Sequence, residues 1–469
     1  MTTFNPITIS CFKAYDVRGE LDVNLDNAIA YRIGRAFAQY LNDGKENPVI
    51  VVGSDIRPSS ESLKQSAIDG IADAGVDVID LGMVGTEEVY FATSHYNAIG
   101  GIEVTASHNP INYNGLKMVR ENSRPISGDT GLADIRAIAE RGEFVVADKG
   151  KVTLNTDKTA YIDKLMSFTD TAKFTPKKIV VNSGNGSAGP VVDELEKRLG
   201  DKIELIKVHH TPDSSFPNGI PNPMIIANQK TTSDAVIAHG ADFGVAFDGD
   251  FDRCFLFDEK GRFIEGSYIV GMLAEVFLKK HQGESIVYDP RVIYNTENVI
   301  AQNGGKPAIS KSGHSFIKQV MRETGAIYGG EMSAHHYFRD FAYCDSGMIV
   351  WLLVIELLSV TGKTLSELVN GYINDFPSSG ELNFRLGQKT ATEIGELLEQ
   401  KYHALNPTKN TLDGLSLDFG NWRFNLRSSN TEPLIRLNIE TKGDKELLKE
   451  RTDEILAVLD ECGAVSANH

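Results

Sequence analysis

The pattern that most constrains the fold is an alternation of short apolar runs with longer segments of helical periodicity. Residues 48–53 (PVIVVG) have the length and β-branched content of a buried strand, and apolar residues at helical spacing follow over 61–74. A second strand pattern covers 76–81, and the same rhythm restarts at 178–183 and at 285–291. This alternation predicts parallel α/β sheets, and its recurrence predicts three related α/β domains.

The chain has 469 residues, which is too long for one hydrophobic core. A polar, charged stretch over 141–158 separates the first two alternating regions, and a strand pattern closes the second region at 257. Residues 377–380 (PSSG) have the composition of a linker, and strands with two helices are predicted beyond it. We therefore predict a smaller C-terminal α+β domain after the three α/β domains. The predicted domains are 1–155, 156–257, 258–376 and 377–469.

Composition excludes several classes of protein. The hydrophobic fraction of 41% and the charged fraction of 24% are typical of a globular chain. There is no run of roughly eighteen apolar residues, and the first six residues (MTTFNP) lack the basic and apolar stretches of a signal peptide. The four cysteines are far apart, which favours buried free thiols over a disulfide framework or a zinc site. We expect a cytoplasmic protein that does not bind membranes.

The net charge of −17 is unfavourable for nucleic-acid binding, because phosphate backbones are bound through clustered Lys and Arg. The same charge repels small anionic substrates, so a phosphate-bearing ligand requires a local basic cluster. Candidate cations near polar motifs are Arg18, Lys117, Arg253 and Arg291, although each alone is more often a surface charge. For Arg57, which follows a strand pattern, we favour a solvated loop position over a phosphate contact.

Residues 105–110 (TASHNP) set a hydroxyl beside an imidazole, between a strand pattern and a proline turn. Two interpretations are open: Ser107 is a helix N-cap with His108 in a loop, or Ser107 is a nucleophile. The loop lacks the G-x-S-x-G pattern of a triad hydrolase. A serine that exchanges a phosphoryl group near a cation needs less from its neighbours, because positioning and charge neutralisation carry that chemistry.

Aspartates recur at every second position of residues 248–253 (DGDFDR). Asp248, Asp250 and Asp252 either share one side of an extended segment or converge in a tight loop. Three close carboxylates repel one another unless a cation lies among them, and hard oxygen ligands select Mg²⁺ or Ca²⁺. Mg²⁺ is preferred, because Arg253 occupies the position where a calcium loop requires Gly. An Asp-rich turn without a metal is the alternative.

Two polar segments in the C-terminal half are candidates for ligand binding. Residues 427–433 (RSSNTEP) offer a guanidinium, hydroxyls and an amide, which suit a phosphate, with an ordinary polar turn as the alternative. Glu331, Ser333 and His335 alternate, so an extended segment presents all three on one face to sugar hydroxyls. Hydrogen bonding within the fold is the alternative for these three side chains.

Residues 184–189 (GNGSAG) follow a strand pattern and precede a helix, as in a dinucleotide-binding fingerprint. The next strand pattern, 203–208, does not end in the acidic residue that holds a ribose. We therefore interpret these glycines as a tight strand-to-helix turn, and a dinucleotide-dependent oxidoreductase stays only a formal alternative.

Together these motifs resemble those of the α-D-phosphohexomutase superfamily, most closely its bacterial phosphomannomutase branch, which feeds GDP-mannose synthesis. The resemblance spans nearly the whole chain and rests on four ordered motifs: T-A-S-H-N-P, D-G-D-x-D-R, G-E-M-S and R-x-S-N-T-x-P. It implies four domains around a central cleft, the first three of related α/β topology and the last a mobile α+β domain.

The resemblance also implies roles for individual residues. Ser107 carries the phosphoryl group, and the implied Mg²⁺ ligands are Ser107, Asp248, Asp250 and Asp252. The implied catalytic residues beside Ser107 are His108, Lys117 and Arg18, with His108 and Lys117 as candidates for proton transfer. The implied contacts to sugar and phosphate are Tyr15, Arg253, Arg291, His314, Glu331, Ser333, His335, Arg427, Ser429, Asn430 and Thr431.

The reaction implied by the resemblance converts mannose 6-phosphate to mannose 1-phosphate. Phosphorylated Ser107 donates its phosphoryl group, and a hexose 1,6-bisphosphate serves as intermediate and activator. A glucose-phosphate or dual-specificity mutase is the nearest alternative, and Met332 argues against the amino-sugar branch, which resembles G-E-Q-S there. A non-catalytic sugar-phosphate binding protein would not need Ser107 and all three aspartates.

Three positions depart from the family pattern: Val17 replaces a common Ile, Arg291 a common Lys, and Ala334 a common Gly. Of these, Arg291 bears on sugar preference, because it is expected near the substrate. The expected partner is a small-molecule sugar phosphate, with no nucleic acid and no membrane. We expect a monomer or a weak homodimer.

Overall fold

The structure is a computed structural model, and it describes residues 2–42, 44–428 and 434–467. The helices, in chain order, are α1 Asn27–Leu41, α2 Ser60–Asp73, α3 Thr86–His95, α4 Leu132–Arg141, α5 Thr159–Met166, α6 Gly189–Leu199, α7 Ile226–His239, α8 Gly266–Lys280, α9 Tyr294–Gln302, α10 His314–Thr324, α11 Gly347–Thr361, α12 Leu365–Asp375, α13 Ala391–Tyr402 and α14 Lys445–Glu461.

The strands through the first half of the chain are β1 Thr2–Thr3, β2 Val17–Glu20, β3 Val49–Ser54, β4 Asp77–Met83, β5 Gly100–Val104, β6 Tyr113–Arg120, β7 Arg124–Pro125, β8 Glu143–Phe144, β9 Val152–Leu154, β10 Lys177–Asn182, β11 Ile203–Val208, β12 Phe243–Phe247 and β13 Cys254–Phe257. Those that follow are β14 Ser285–Tyr288, β15 Lys306–Ile309, β16 Tyr328–Gly330, β17 His336–Phe338, β18 Cys344–Asp345, β19 Leu382–Arg385, β20 Thr408–Asn410, β21 Leu415–Asp418, β22 Trp422–Ser428, β23 Leu434–Thr441 and β24 Val465–Ser466.

The chain divides into two compact units. The first unit comprises Met1–Phe263 with His335–Gly362, and the second comprises Ile264–Ala334 with Lys363–His469. The predicted third domain, 258–376, therefore has its segment His335–Gly362 packed within the first unit. This segment ends in α11, whose residues from Gly347 to Glu356 are all buried. The four predicted domain boundaries stay a prediction.

The first unit contains two α/β sheets. In one, the strand order is β2-β6-β5-β3-β4-β9, with β3 parallel to β4 and β5, and β6 antiparallel to β5. In the other, the order is β11-β10-β12-β13, and only β13 is antiparallel. The parallel α/β organisation predicted from the alternating pattern is confirmed. An apolar core lies between the first sheet and helices that include α1, α2 and α4.

Strand ends position the polar loops of the first unit. The segment that begins with Asp55 follows β3, the TASHNP loop follows β5, and the aspartate loop follows β12. Carboxyl ends of parallel strands are the usual place for ligands in such sheets. The predicted turn after β10 is confirmed as well, because Gly184 and Asn185 have φ of +59° and +57° and α6 begins at Gly189.

The second unit contains one parallel and one antiparallel arrangement. Strand β14 pairs in parallel with β15 and β16. The C-terminal sheet has the order β20-β21-β22-β23-β19-β24, with its own core against α13 and α14. This sheet confirms the α+β prediction for the end of the chain. In the described part of the chain no single helix is long and apolar enough to span a membrane, and only α11 and α12, taken together as a bent pair, meet that criterion.

Candidate active site

The loop between β5 and β6 holds Ser107 in a left-handed backbone conformation, with φ of +50°. For a residue with a side chain this conformation costs about 1–2 kcal/mol, so its surroundings must hold it. Ser107 is buried, and its Oγ donates a hydrogen bond to Asp248 Oδ2 at 2.6 Å. No helix begins at this loop, so the N-cap alternative is wrong.

The imidazole of His108 lies beside the serine, with Nδ1 at 3.0 Å from Ser107 Oγ. Arg253 Nη2 donates to Ser107 Oγ at 3.2 Å and also contacts His108 Nδ1. A guanidinium can only donate, so Nδ1 of His108 is an acceptor without a proton. Serine, imidazole and guanidinium thus form one hydrogen-bonded group.

The three aspartates converge in the loop between β12 and β13 and do not share a face of an extended strand. Asp248 and Asp250 are fully buried and Asp252 is nearly so. Each offers an oxygen, and these oxygens lie within 4.8 Å of one another. Arg253 Nε donates to Asp248 Oδ2 at 2.9 Å. The predicted loop arrangement is therefore present and is buried from water.

Two of the carboxylates each have one oxygen that is held by the protein and one that is not. Asp250 Oδ2 accepts from Lys117 Nζ at 2.6 Å and from Thr86 Oγ1 at 2.7 Å, and Asp252 Oδ2 accepts from Lys117 Nζ at 2.6 Å. Their Oδ1 atoms are buried and accept no hydrogen bond from the described residues. Orphaned, buried carboxylate oxygens in one cluster fit a hard divalent cation such as Mg²⁺.

Lys117 bridges the two carboxylates from strand β6. Burial on its own lowers the pKa of its ammonium, but the carboxylates of Asp250 and Asp252 outweigh burial and raise the pKa above its usual value. The ammonium therefore keeps its proton in this arrangement. It holds one oxygen of Asp250 and one oxygen of Asp252.

Arg18 and Tyr15 belong to the segment around β2, which pairs with β6. Arg18 Nη2 donates to Asp16 Oδ2 at 2.7 Å, and Nη1 donates to Asn109 Oδ1 at 3.1 Å. Arg18 thus contacts the TASHNP loop directly. Tyr15 is half-buried in the same segment.

His335 lies beside the aspartate loop, where its backbone forms an isolated β-bridge with Arg253. Its Nδ1 is 2.8 Å from Asp345 Oδ2 and 3.8 Å from Asp252 Oδ1. Burial lowers the pKa of His335, and the carboxylates of Asp252 and Asp345 more than compensate, so its pKa is raised. We call the group of Ser107, His108, Lys117, Asp248, Asp250, Asp252, Arg253 and His335 the serine site.

A second polar cluster lies within the second unit and is rich in arginine. Arg291 is fully buried, and its Nε and Nη2 donate to the two oxygens of Asp289 at 2.9 and 2.8 Å. Three guanidinium groups approach Glu381: Arg291 and Arg427 at 3.4 Å and Arg436 at 3.3 Å. Burial raises the pKa of Glu381, but these arginines outweigh it and the pKa is lowered. We call Asp289, Arg291, Glu381, Arg427 and Arg436 the arginine site.

Residues Glu331 and Ser333 adjoin the arginine site. Ser333 Oγ accepts from Arg291 Nη2 at 3.2 Å, and Glu331 Oε1 lies 3.7 Å from the same nitrogen. Glu331 Oε1 also accepts from the backbone N–H of Gly313, next to His314. The prediction of an extended segment through Glu331, Ser333 and His335 is wrong. The chain forms a turn here, closed by the bond from Ala334 N to Glu331 O, with φ of +69° at Ala334.

Of the predicted phosphate-binding segment 427–433, the structure describes residues 427 and 428. Arg427 is buried at the end of β22 and contacts Glu381. Ser429, Asn430 and Thr431 lie outside the described residues. The structure therefore adds Arg436, a partly buried cation that the sequence did not indicate, to the buried Arg427 in this region.

Several other residues of both sites escaped the sequence analysis. Thr86 and Asp345 contact the serine site, and Glu381 and Arg436 belong to the arginine site. None carries a local motif, because each reaches its site through tertiary packing. For Arg57 a signal was available, since it follows the carboxyl end of a parallel strand, but the solvated-loop prediction was wrong because its side chain is fully buried.

Comparison with known proteins agrees with this geometry. Family models match in order along the chain: phosphoglucomutase/phosphomannomutase alpha/beta/alpha domain I over 10–146, domain II over 159–261, domain III over 265–376 and the C-terminal domain over 381–458. These matches place the protein in the class of phosphohexomutases, which are isomerases.

The chain belongs to the phosphoglucomutase/phosphomannomutase family. It is 56% identical over 459 residues to a phosphomannomutase of Salmonella montevideo, covering 96% of this chain and 99% of that one. It is 55% identical over 459 residues to a phosphomannomutase of Escherichia coli K12, covering 97% and 99%. A phosphoglucomutase/phosphomannomutase family protein of Burkholderia thailandensis superposes with a TM-score of 0.85 at 32% identity, covering 97% of this chain and 98% of that chain.

Proposed function

We propose that the protein interconverts mannose 6-phosphate and mannose 1-phosphate, with Ser107 as the phosphoryl carrier and a hexose 1,6-bisphosphate as intermediate. The observation that carries the proposal is the contact of Ser107 Oγ with Asp248 Oδ2 at 2.6 Å, beside two orphaned carboxylate oxygens. A hydroxyl in this setting suits phosphoryl transfer, which depends on positioning and charge neutralisation. The high identity to phosphomannomutases supports the choice of mannose.

A divalent cation would be held by the carboxylates of Asp248, Asp250 and Asp252 together with the side chain of Ser107. The chemistry of these oxygen donors favours Mg²⁺. When bound, it offsets negative charge on the transferring phosphoryl group. Lys117 and Thr86 hold the outer oxygens of Asp250 and Asp252, which leaves the Oδ1 atoms of those two carboxylates for the cation.

We propose a different role for each of the side chains around Ser107. His108 Nδ1 is a proton acceptor near Ser107 Oγ, and we propose it as the group that exchanges a proton with that oxygen. Lys117 is held protonated by two carboxylates, so we propose that it positions the aspartate loop. Arg18 fixes the TASHNP loop through Asn109, and Arg253 directs two donors at Ser107 and His108.

The remaining candidate residues are proposed as ligand contacts. Arg427, with Ser429, Asn430 and Thr431, is proposed to hold the phosphate that does not react. Arg291 approaches Glu381 as Arg427 does, and its bonds to Asp289 fix the direction of its guanidinium. The proposed sugar contacts are Tyr15, Arg253, His314, Glu331, Ser333 and His335. We further propose a cytoplasmic monomer or weak homodimer of four domains that supplies GDP-mannose synthesis.

One pair of variants tests the chemistry. Ser107→Ala should abolish mutase turnover in the presence of a hexose 1,6-bisphosphate activator, because the carrier hydroxyl is gone. The matched control is Ser62→Ala, which removes an exposed hydroxyl of α2. Wild-type turnover in Ser107→Ala would refute the proposal.

Sugar preference needs a separate measurement. Initial rates on mannose 1-phosphate, glucose 1-phosphate and glucosamine 1-phosphate should be highest for mannose. Equal rates on mannose 1-phosphate and glucose 1-phosphate would show a dual-specificity mutase. A higher rate on glucose 1-phosphate would show a phosphoglucomutase.

A further inference from the structure

Arg57 is a fully buried arginine whose guanidinium lies under the TASHNP loop. Its Nη1 donates to the carbonyl oxygens of Pro110 at 2.9 Å and Tyr113 at 3.1 Å. Its Nη2 donates to the carbonyl oxygens of Ser107 at 2.9 Å and Asn109 at 2.6 Å. One side chain therefore binds four carbonyls between Ser107 and the start of β6.

These contacts use every terminal N–H of the guanidinium. Two hydrogens on each Nη meet two carbonyls, and Nε faces Asp55 Oδ2 at 3.5 Å. The guanidinium carbon lies over the ring of Phe216, 6.0 Å from the ring centroid. Arg57 thus has no terminal donor left for a phosphate, which excludes the phosphate contact considered from the sequence.

A second chain of hydrogen bonds reaches the same loop from Asp55. Asp55 Oδ1 accepts from the backbone N–H of Arg57 at 2.9 Å, and Oδ2 accepts from Thr105 Oγ1 at 2.7 Å. Thr105 Oγ1 in turn accepts from the backbone N–H of Ser107 at 2.8 Å. Both peptide groups of Ser107 are therefore fixed, the carbonyl by Arg57 and the N–H by Thr105.

This fixation explains how Ser107 keeps a left-handed conformation. With φ of +50°, the backbone of Ser107 is in a region that side-chain-bearing residues rarely adopt. The conformation directs Oγ to Asp248 Oδ2 at 2.6 Å. If the carbonyl of Ser107 turns, Oγ turns with it and leaves that contact.

We propose that Arg57 is a positioning residue that holds Ser107 Oγ in its reactive direction by binding the carbonyls of Ser107, Asn109, Pro110 and Tyr113. The proposal rests on the proposed function in so far as Ser107 is the phosphoryl carrier. The terminal N–H groups of Arg57 are all engaged by these carbonyls, so it has none to offer a ligand. Its loss should therefore slow transfer to and from Ser107 without weakening ligand binding.

A matched control exists in the same unit. Arg32 on α1 is also buried and donates to backbone carbonyls, those of Ala139 at 3.2 Å and Asn5 at 2.8 Å. Arg57→Met and Arg32→Met thus remove the same kind of side chain and bond. Only the first touches the TASHNP loop.

The experiment measures the rate at which a hexose 1,6-bisphosphate phosphorylates the protein, by intact mass. Arg57→Met should lower this rate and kcat by about 100-fold or more, with KM within about threefold, because a small displacement of a reacting atom costs that much. Arg57→Lys should recover part of the rate that Arg57→Met loses, since an ammonium offers three N–H donors but not the planar, forked arrangement of a guanidinium. Arg32→Met should keep the wild-type rate per folded molecule.

Hydrogen–deuterium exchange of residues 105–113 gives a readout that does not depend on activity. Exchange in this loop should accelerate in Arg57→Met and stay unchanged in Arg32→Met. Equal effects of the two variants on rate, or unchanged exchange and rate in Arg57→Met, would overturn the proposal. If Arg57→Met does not fold, Arg57→Lys decides by the same two readouts. Absence of phosphorylation in the wild type would instead refute the proposed function, and the exchange result would still decide the role of Arg57.

Discussion

The serine site and the arginine site have opposite charge designs. In the serine site, the three aspartates are held by Lys117 and Arg253, and two carboxylate oxygens are left for a cation. In the arginine site, three guanidinium groups approach the carboxylate of Glu381, and one of them also binds Asp289. A chain with a net charge of −17 thus contains a buried acidic cluster able to bind a metal and, within the second unit, a cluster of three guanidinium groups, which we propose as the phosphate site. The local basic cluster required of a phosphate-binding protein is present within the second unit.

The largest expected effect concerns the cation side of this comparison. Asp250→Asn should lower kcat by about 10³-fold, since it removes a charge from the proposed metal ligands. Mn²⁺ binding, measured by electron paramagnetic resonance, should weaken in parallel. Inorganic phosphate binding, measured by calorimetry, should not change.

The control for this variant is Asp234→Asn, which changes an exposed aspartate of α7. Its kcat and Mn²⁺ affinity should equal those of the wild type. Undiminished Mn²⁺ binding in Asp250→Asn would show that the aspartate loop is not the cation site.

An intermediate effect is expected on the anion side. Arg427→Lys should raise KM for the sugar phosphate about 10–100-fold while kcat changes little, because a lysine cannot reproduce a planar guanidinium contact to phosphate. Mn²⁺ binding should be unaffected. Steady-state kinetics over a range of substrate concentrations separates the two parameters.

Arg385→Lys is the matched control, because Arg385 is an exposed arginine of β19 in the same unit. A fall in kcat without a change in KM for Arg427→Lys would contradict the charge design, since it would place Arg427 in the chemical step.

The smallest expected effect is on stability, and it differs in sign between the two units. Burial raises the pKa of Glu87 to about 8 from a usual value of 4.5, although Tyr161, Ser346 and the start of α11 donate to it. Its stabilising contribution is present below about pH 4.5 and is lost as the pH rises towards 8. The lowered pKa of Glu381 gives the reverse, a contribution present above its usual pKa and lost as the pH falls.

Chemical denaturation across this pH range measures both effects. Glu87→Gln should remove a loss of about 1–3 kcal/mol in the free energy of unfolding at the alkaline end. Glu381→Gln should instead reduce the fall in the free energy of unfolding at the acid end of the pH range. If both variants change the same end of the profile, the two carboxylates do not differ as described.

Much of the fold followed from local patterns. The strand predicted at 48–53 is β3, Val49–Ser54, and the helix predicted at 61–74 is α2, Ser60–Asp73. The alternation of period two and period 3.6 is a local property, so it is readable in the sequence. The packing of His335–Gly362 within the first unit was not predicted, because it depends on tertiary contacts such as those of Glu87 with the start of α11.

The serine site was predicted better than the arginine site. Ser107, His108 and the three aspartates belong to contiguous motifs, and the structure brings them together as expected. Thr86 and Arg57 support this site through long-range contacts. The position of Arg57 after a parallel strand was a local signal, but the four carbonyls that it binds depend on tertiary structure. Glu381 and Arg436 also reach the arginine site through tertiary packing, which the sequence does not reveal. The extended segment predicted through Ala334 is instead a turn, because the N–H of Ala334 donates to the carbonyl of Glu331.

The central claim is that Ser107 carries the phosphoryl group. Its most direct test is to incubate the wild-type protein with mannose 1,6-bisphosphate and to locate the modification by tandem mass spectrometry of peptides. We predict one phosphoryl group, on Ser107, that is absent in Ser107→Ala and present in Ser62→Ala. A protein that turns over mannose phosphates with no phosphoryl group on Ser107, or with one on another residue, would contradict the account.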